Sequence, residues 1–384
     1  MKIIENTKDL ETFCKTLSKK DFITIDLEFL REKSYFAHLC LIQVAAEDDA
    51  AIIDPLAENI DLKVFFQLMQ NKKVLKVFHS GRQDIEIIYH LSGAVPTPVF
   101  DTQIAAMVCG FGESVSYETL VAEITQTALD KTCRLSDWSK RPLSTNQLEY
   151  AISDVTHLTK IYRYLERKLK ETGREKWLEE EVETLNSKDT YFIEPSEAWH
   201  KIRHRSHNQK FLTILKELAA WREKRAQIKD IPRQNVIKDD LLLVIAAAAP
   251  KTQEELEQMR NIRKDLTAGK IANEILAAVK KALETPPNKY VKLEPEQKFN
   301  GSAGALLELL RLLLKIKSGE EGVVARLIAD DEDLKKFAIS NDLKNPILKG
   351  WRYKIFGREA LALREGNLSI GYNKSKRKIE ITIK

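Results

Sequence analysis

Residues 22–28 read Phe-Ile-Thr-Ile-Asp-Leu-Glu, an alternation of apolar and polar side chains. A β-strand repeats every two residues, so Thr24, Asp26 and Glu28 fall on one face and Ile23, Ile25 and Leu27 on the other. An exposed polar strand face would explain the pattern equally well if the flanks were polar. They are apolar enough for a central strand, where two acids without a compensating charge are expensive. The segment therefore predicts a strand that packs with one face and binds with the other.

Three more residues belong with that strand. Asp84 lies in KVFHSGRQDIEIIYH (76–90), and Tyr150 and Asp154 lie in LEYAISDVTHLTKIY (148–162). Tyr150 and Asp154 are four apart in a segment that reads as helix, so the phenol and the carboxylate share one side, about one turn from each other. Taken singly each has a plain structural alternative. Asp84 fits a helix N-terminus favoured by the helix dipole, Tyr150 a half-buried aromatic, and Asp154 a surface helix acid. Gathered in one pocket, four carboxylates raise each other's pKa unless a hard cation with oxygen ligands sits among them. Magnesium or manganese is implied, and two such ions roughly 3.5–4 Å apart clamp an in-line displacement at phosphorus. The chemistry expected is phosphodiester hydrolysis.

FITIDLEF (22–29), KVFHSGRQDIEIIYH, FDTQIAAM (100–107) and LEYAISDVTHLTKIY resemble the exonuclease motifs of the DEDD superfamily. The other branch of that superfamily carries a histidine five residues before the last Asp; here Glu149 stands there and Tyr150 follows. The chain is thus similar to the tyrosine branch, and most of all to the bacterial ribonuclease D family. That resemblance makes Asp26, Glu28, Asp84 and Asp154 the metal-binding acids and Tyr150 the residue that orients the attacking water. It also implies 3′-to-5′ cleavage of RNA with a free 3′ end, release of nucleoside 5′-monophosphates, and tRNA precursors as substrates. Two rivals stay open: a DNA 3′-5′ exonuclease on the same fold, and a non-catalytic RNA-binding scaffold. The second would be marked by loss of one acid, and all four are present.

The likeness continues beyond the motifs. Residues 221–262 resemble an HRDC domain, and 324–339 with 348–366 resemble the second HRDC-like segment of ribonuclease D chains. The expected architecture is an α/β RNase H-like catalytic domain, a mixed sheet with helices, followed by two all-α HRDC-type modules. Its boundaries are a catalytic domain over 1–190, a linker over 191–208, and helical modules over 209–288 and 289–384. Strand-like runs stand at 22–27, 37–45, 51–53 and 74–78, and helical periodicity at 85–91, 102–108 and 148–169. SKDTYFIEPSEAW (187–199) reads as a connector, and Pro286, Pro287, Pro295, Gly301 and Gly304 as breaks between helices. LLELLRLLLKIK (306–317) is apolar on most faces and predicts a buried helix. LSIGYNKSKRKIEITIK (368–384) alternates like a short hairpin.

Composition narrows the remaining choices. A chain of 384 residues accommodates two or three domains with proper cores. A formal charge of +5 is mildly basic, so nucleic-acid binding depends on local patches and not on the bulk field. Cys14, Cys40, Cys109 and Cys133 have no C-x-x-C spacing and are too few for a disulfide framework. The charged start MKIIENTKDLETFCKTL lacks the apolar core of a signal peptide, and the longest apolar run, LLLVIAAAA, is roughly half a membrane span. The expectation is a cytoplasmic monomer acting on RNA, with no membrane association and no small-molecule organic cofactor. In WHKIRHRSH (199–207) the spacing of His200, His204 and His207 would suit zinc, but Lys201, Arg203 and Arg205 oppose a cation. With Trp199 the segment reads as an RNA-backbone patch near the entry to the active site, or as a solvated connector. His79 is a candidate for positioning substrate or for packing, and Lys374, Lys376, Arg377 and Lys378 form a second basic cluster of the same ambiguity.

Overall fold

The computed structural model describes residues 2–129, 133, 136–259, 262–293, 301–340 and 342–383. The chain divides into two compact units, one of Met1–Glu28, Cys40–Ser187 and Gln297–Lys384, the other of Phe29–Leu39 and Lys188–Glu296.

Six strands make the main sheet: β1 (Lys2–Ile4), β2 (Phe22–Leu30), β3 (His38–Ala45), β4 (Ala50–Ile53), β5 (Leu75–Phe78) and β6 (Val99–Asp101). Their order is β1-β4-β3-β2-β5-β6, so β2 is an inner strand. β5 runs parallel to β2, with Thr24 opposite Val77, and parallel to β6; β3 and β4 are antiparallel. Flanked on both sides, β2 buries Ile23, Ile25 and Leu27 on one face and Thr24 on the other. The alternation read from the sequence is therefore that of a strand buried on both faces, its acids at the end where burial relaxes.

Among the described residues seven helices accompany this sheet: α1 (Thr7–Leu17), α2 (Lys63–Met69), α3 (Arg82–Ser92), α4 (Thr102–Val108), α5 (Tyr117–Thr125), α6 (Thr145–Thr172) and α7 (Glu175–Asn186). α6 begins at a capping box, Ser144 with Gln147, and stops at Gly173, whose φ of 64° is the left-handed conformation glycine tolerates. Its apolar stripe, Ala151, Val155, Leu158, Ile161 and Leu165, is continuous with Asp154 and packs toward β4 and β5. The Tyr162 ring lies 4.4 Å from Phe22 and 4.9 Å from Phe100. The face of α6 that carries Asp154 is thus the face held against the sheet. α3 and α6 both start three residues before their apolar periodicity does, because first-turn residues are polar and carry no period.

Residues 301–383 complete this unit. Gly301 is the first residue of the helix Gly301–Glu321, at a helix end as expected, whereas Gly304 lies inside it and does not break it, which corrects the reading of Gly304. Pro286 and Pro287 do follow a helix, and Pro295 lies outside the described residues. The helix Gly301–Glu321 buries Ala303, Leu307, Leu310 and Leu314 along one stripe but leaves Leu309 42% exposed, so it is amphipathic, not buried all round. Trp351 stacks on Trp177 of α7 at 4.4 Å, and Arg352 reaches Glu181 of α7 at 2.7 Å. β7 (Leu368–Asn373) and β8 (Lys378–Ile383) form the terminal hairpin.

The second unit is helical. Its helices are α8 (Gln209–Lys229), α9 (Arg233–Val236), α10 (Asp239–Ala248), α11 (Gln253–Glu257) and α12 (Gly269–Leu283). Leu212, Leu215, Leu218, Leu242, Ile245, Ile275 and Val279 form its core. Residues 29–39 pack here too: the Asp230 carboxylate accepts from the backbone N–H of Tyr35 and Phe36 at 3.0 and 2.9 Å. Glu223, fully buried, is held by Arg233 at 2.8 Å and by the Tyr35 hydroxyl. Among the described residues no helix is long and apolar enough to cross a membrane.

Candidate active site

Asp26 and Glu28 project from the same face of β2, and Asp154 meets them from α6. One oxygen of each carboxylate lies within 4.8 Å of the others. Together with His79, Tyr117 and Tyr150 they line a pocket of about 300 Å³. Asp84, in the first turn of α3, is 8% exposed and sits next to Asp26; the Leu27 N–H serves both carboxylates. Residues from three distant stretches therefore converge, and all five expected catalytic positions lie in one neighbourhood. Trp138 packs beside Tyr150 at 6.1 Å.

The electrostatics follow from that crowding. Burial raises the carboxyls of Asp26, Glu28, Asp84 and Asp154 above the ordinary carboxylate range. Repulsion adds to it: Asp26, Asp154 and Asp84 all push on Glu28, and Asp26 pushes on both Asp84 and Asp154. The Tyr150 hydroxyl hydrogen-bonds to the Asp154 carboxylate and draws it part of the way back. Burial and the nearby acids raise Tyr150 itself, so the phenol keeps its proton and acts as a hydrogen-bonding group, not as a base. The donor set is oxygen only, which suits a hard divalent cation and not zinc.

His79 belongs to this pocket. Its Nδ1 lies 3.0 Å from the Thr102 hydroxyl, which donates its own proton to the Phe78 carbonyl at 3.1 Å. The Thr102 oxygen is then an acceptor for Nδ1–H, and the ring's Nε2 is left with its lone pair. Burial pushes the imidazole down to about 4, so His79 is neutral at physiological pH.

Several residues position the site in ways the sequence did not assign. The Thr24 hydroxyl donates to the Val155 carbonyl at 2.9 Å, tying β2 to the turn of α6 that carries Asp154. Tyr117, from α5, donates to the Asp154 carbonyl of the same turn. Asp101 caps α4 by accepting from Gln103 and Ile104, and also accepts from the Ser80 and Gly81 N–H groups just before α3. Only FDTQ, an Asx before a helical run, hinted at that cap. Hydroxyl donors and cap acceptors of this kind have no fixed spacing from the catalytic acids.

The 199–207 segment differs from its reading in one respect. Trp199 is 4% exposed, with its ring 4.0 Å from His200 and 6.2 Å from His204, inside the helical core. A ring this buried has little surface to offer RNA, so Trp199 anchors the segment from the core. Lys201, Arg203 and Arg205 are exposed. His200 pairs with Glu197 at 3.1 Å.

Comparison with known proteins agrees with this geometry. Residues 1–170 match the 3′-5′ exonuclease family and residues 211–279 the HRDC domain. The chain is 43% identical over 377 residues to ribonuclease D of Nitrobacter hamburgensis, covering 98% of both proteins. It is also 43% identical to ribonuclease D of Bartonella henselae, over 99% of this chain and 93% of that one. The crystal structure of Escherichia coli RNase D, an exoribonuclease involved in structured RNA processing, shares the fold at a TM-score of 0.83 and 24% identity, over 95% of this chain and 98% of that one. With identity of this order along its whole length and an acid cluster where the exonuclease motifs meet, the chain belongs to the ribonuclease D family and is a 3′-5′ exoribonuclease.

Proposed function

We propose that this exoribonuclease trims the 3′ ends of tRNA precursors and other stable RNAs, releasing nucleoside 5′-monophosphates one at a time. The observation that carries the reading is the convergence of Asp26, Glu28 and Asp154 to within 4.8 Å, with Asp84 beside Asp26. The exonuclease fold implies a divalent metal. In the proposed site Asp26, Glu28, Asp84 and Asp154 would hold two divalent ions, Mg²⁺ or Mn²⁺, which would supply charge neutralisation and activation of water for hydrolysis of the phosphodiester. Tyr150, protonated, orients the attacking water by hydrogen bonding. His79 offers Nε2 as an acceptor to a hydroxyl of the terminal ribose. Lys201, Arg203 and Arg205 contact RNA phosphates, supported by their exposure and charge, with Trp199 anchoring their segment from the core.

The chain works without an organic cofactor, as a monomer, in the cytoplasm. Its parts are a catalytic domain over 1–190, a connector over 191–208, a helical module over 209–288 and a second, mostly helical module over 289–384 that carries the β7–β8 hairpin. A 3′-tailed tRNA precursor incubated with Mg²⁺ or with chelator, and resolved by length, tests the proposal. Metal-dependent, stepwise shortening from the 3′ end with 5′-monophosphate products is expected. Internal cuts, 3′-monophosphates or equal turnover in chelator would refute it.

A further inference from the structure

The terminal hairpin has a composition unlike the rest of the first unit. Leu368 pairs with Ile383, Ile370 with Ile381 and Tyr372 with Ile379, so these six side chains share one face. Of these six, only Leu368 is buried. Leu368 is 3% exposed, whereas Tyr372 is 67%, Ile379 42% and Ile383 73% exposed. At the tip the turn joins Lys374, Lys376, Arg377 and Lys378. Asn373 holds it in shape by accepting from the Lys376 N–H at 3.1 Å and the Ser375 hydroxyl at 2.6 Å. Lys376 is paired with Glu380, while Lys374, Arg377 and Lys378 have no ion pair among the described residues. Residues 368–383 hold four cations against one acid, in a chain whose entire formal charge is +5.

We propose that this hairpin is a second RNA-binding site, where a base stacks on Tyr372 and the flanking phosphates meet Lys374 and Arg377 of the turn. An exposed aromatic on an open strand face beside unpaired cations suits single-stranded RNA, because bases in a duplex already have their faces covered. A second copy of the chain fits less well, since it would add like charge to a surface already positive. The assignment rests on RNA being the substrate and goes beyond it: the hairpin holds nucleotides that are not being hydrolysed and acts on affinity, not on the chemical step.

The test uses the full chain in chelator with a fluorescent, unstructured 15-nucleotide RNA. Tyr372→Ala should weaken binding about tenfold, the order of one stacked base, and Tyr372→Phe should restore it. The double variant Lys374→Gln, Arg377→Gln should lower the slope of log affinity against log salt by about 1.4. With Mn²⁺, both variants should hydrolyse a diribonucleotide at the wild-type rate. Wild-type affinity and salt slope in both variants would overturn the proposal. So would a doubled mass in sedimentation that the Tyr372→Ala variant loses, which would make the face a seam between copies. Failure of the wild-type enzyme to cleave the diribonucleotide would instead strike at the catalytic reading and leave the binding result standing.

Discussion

At the residue scale, each side chain at the site has a separable task. The Asp26 carboxylate neighbours all three other acids, so Asp26→Asn should lower kcat by about a thousandfold or more, on the scale of the several kcal/mol that metal-assisted charge stabilisation supplies. RNA binding in chelator should stay near wild type. Turnover close to wild type in saturating Mg²⁺ would remove Asp26 from the mechanism. Tyr150→Phe disturbs the placement of water and leaves the four acids intact. Its kcat should fall roughly ten- to a hundredfold with little change in KM, and an unchanged kcat in single-turnover measurements would make the phenol a packing residue.

At the element scale, the site depends on how two helices are pinned to one strand. Thr24 and Tyr117 hold the turn of α6 that carries Asp154, and Asp101 holds the entry to α3 that carries Asp84. Asp101→Ala leaves four backbone N–H groups without their acceptor. A loss of about 2 kcal/mol in urea unfolding is expected, from the lost cap together with buried donors left unsatisfied. Because Gly81 immediately precedes α3, the Mg²⁺ concentration for half-maximal rate should rise as well, while affinity for RNA in chelator holds. A purely structural cap would change the unfolding curve and leave the metal dependence as it was.

At the scale of the whole molecule, the buried acids couple metal binding to folding. Their folded pKa values are raised above the unfolded ones, so without metal the folded state binds more protons than the unfolded state. Their contribution is full below about pH 4, where the unfolded groups titrate, and is lost as pH rises through the raised folded values. Bound divalent metal requires the deprotonated carboxylates and offsets that loss. The gain in Tm from Mg²⁺ over chelator should therefore grow between about pH 6 and pH 9. A gain that is flat or shrinks over that range in calorimetry would contradict the assignment of these acids as ligands. Alternation in FITIDLE, the four-residue step from Tyr150 to Asp154, and the helical periods around them were enough to determine an inner strand, a helix with both groups on one side, and the residue types a metal site requires. Those are local properties, set by the two- and 3.6-residue repeats of the backbone. Sequence alone did not determine that Trp199 would be swallowed by a core, that Gly304 would sit within a helix, or that Thr24, Tyr117 and Asp101 would pin the site. Burial and hydrogen bonding between distant segments depend on which surfaces meet when the chain closes on itself, and no repeat along the chain encodes that meeting.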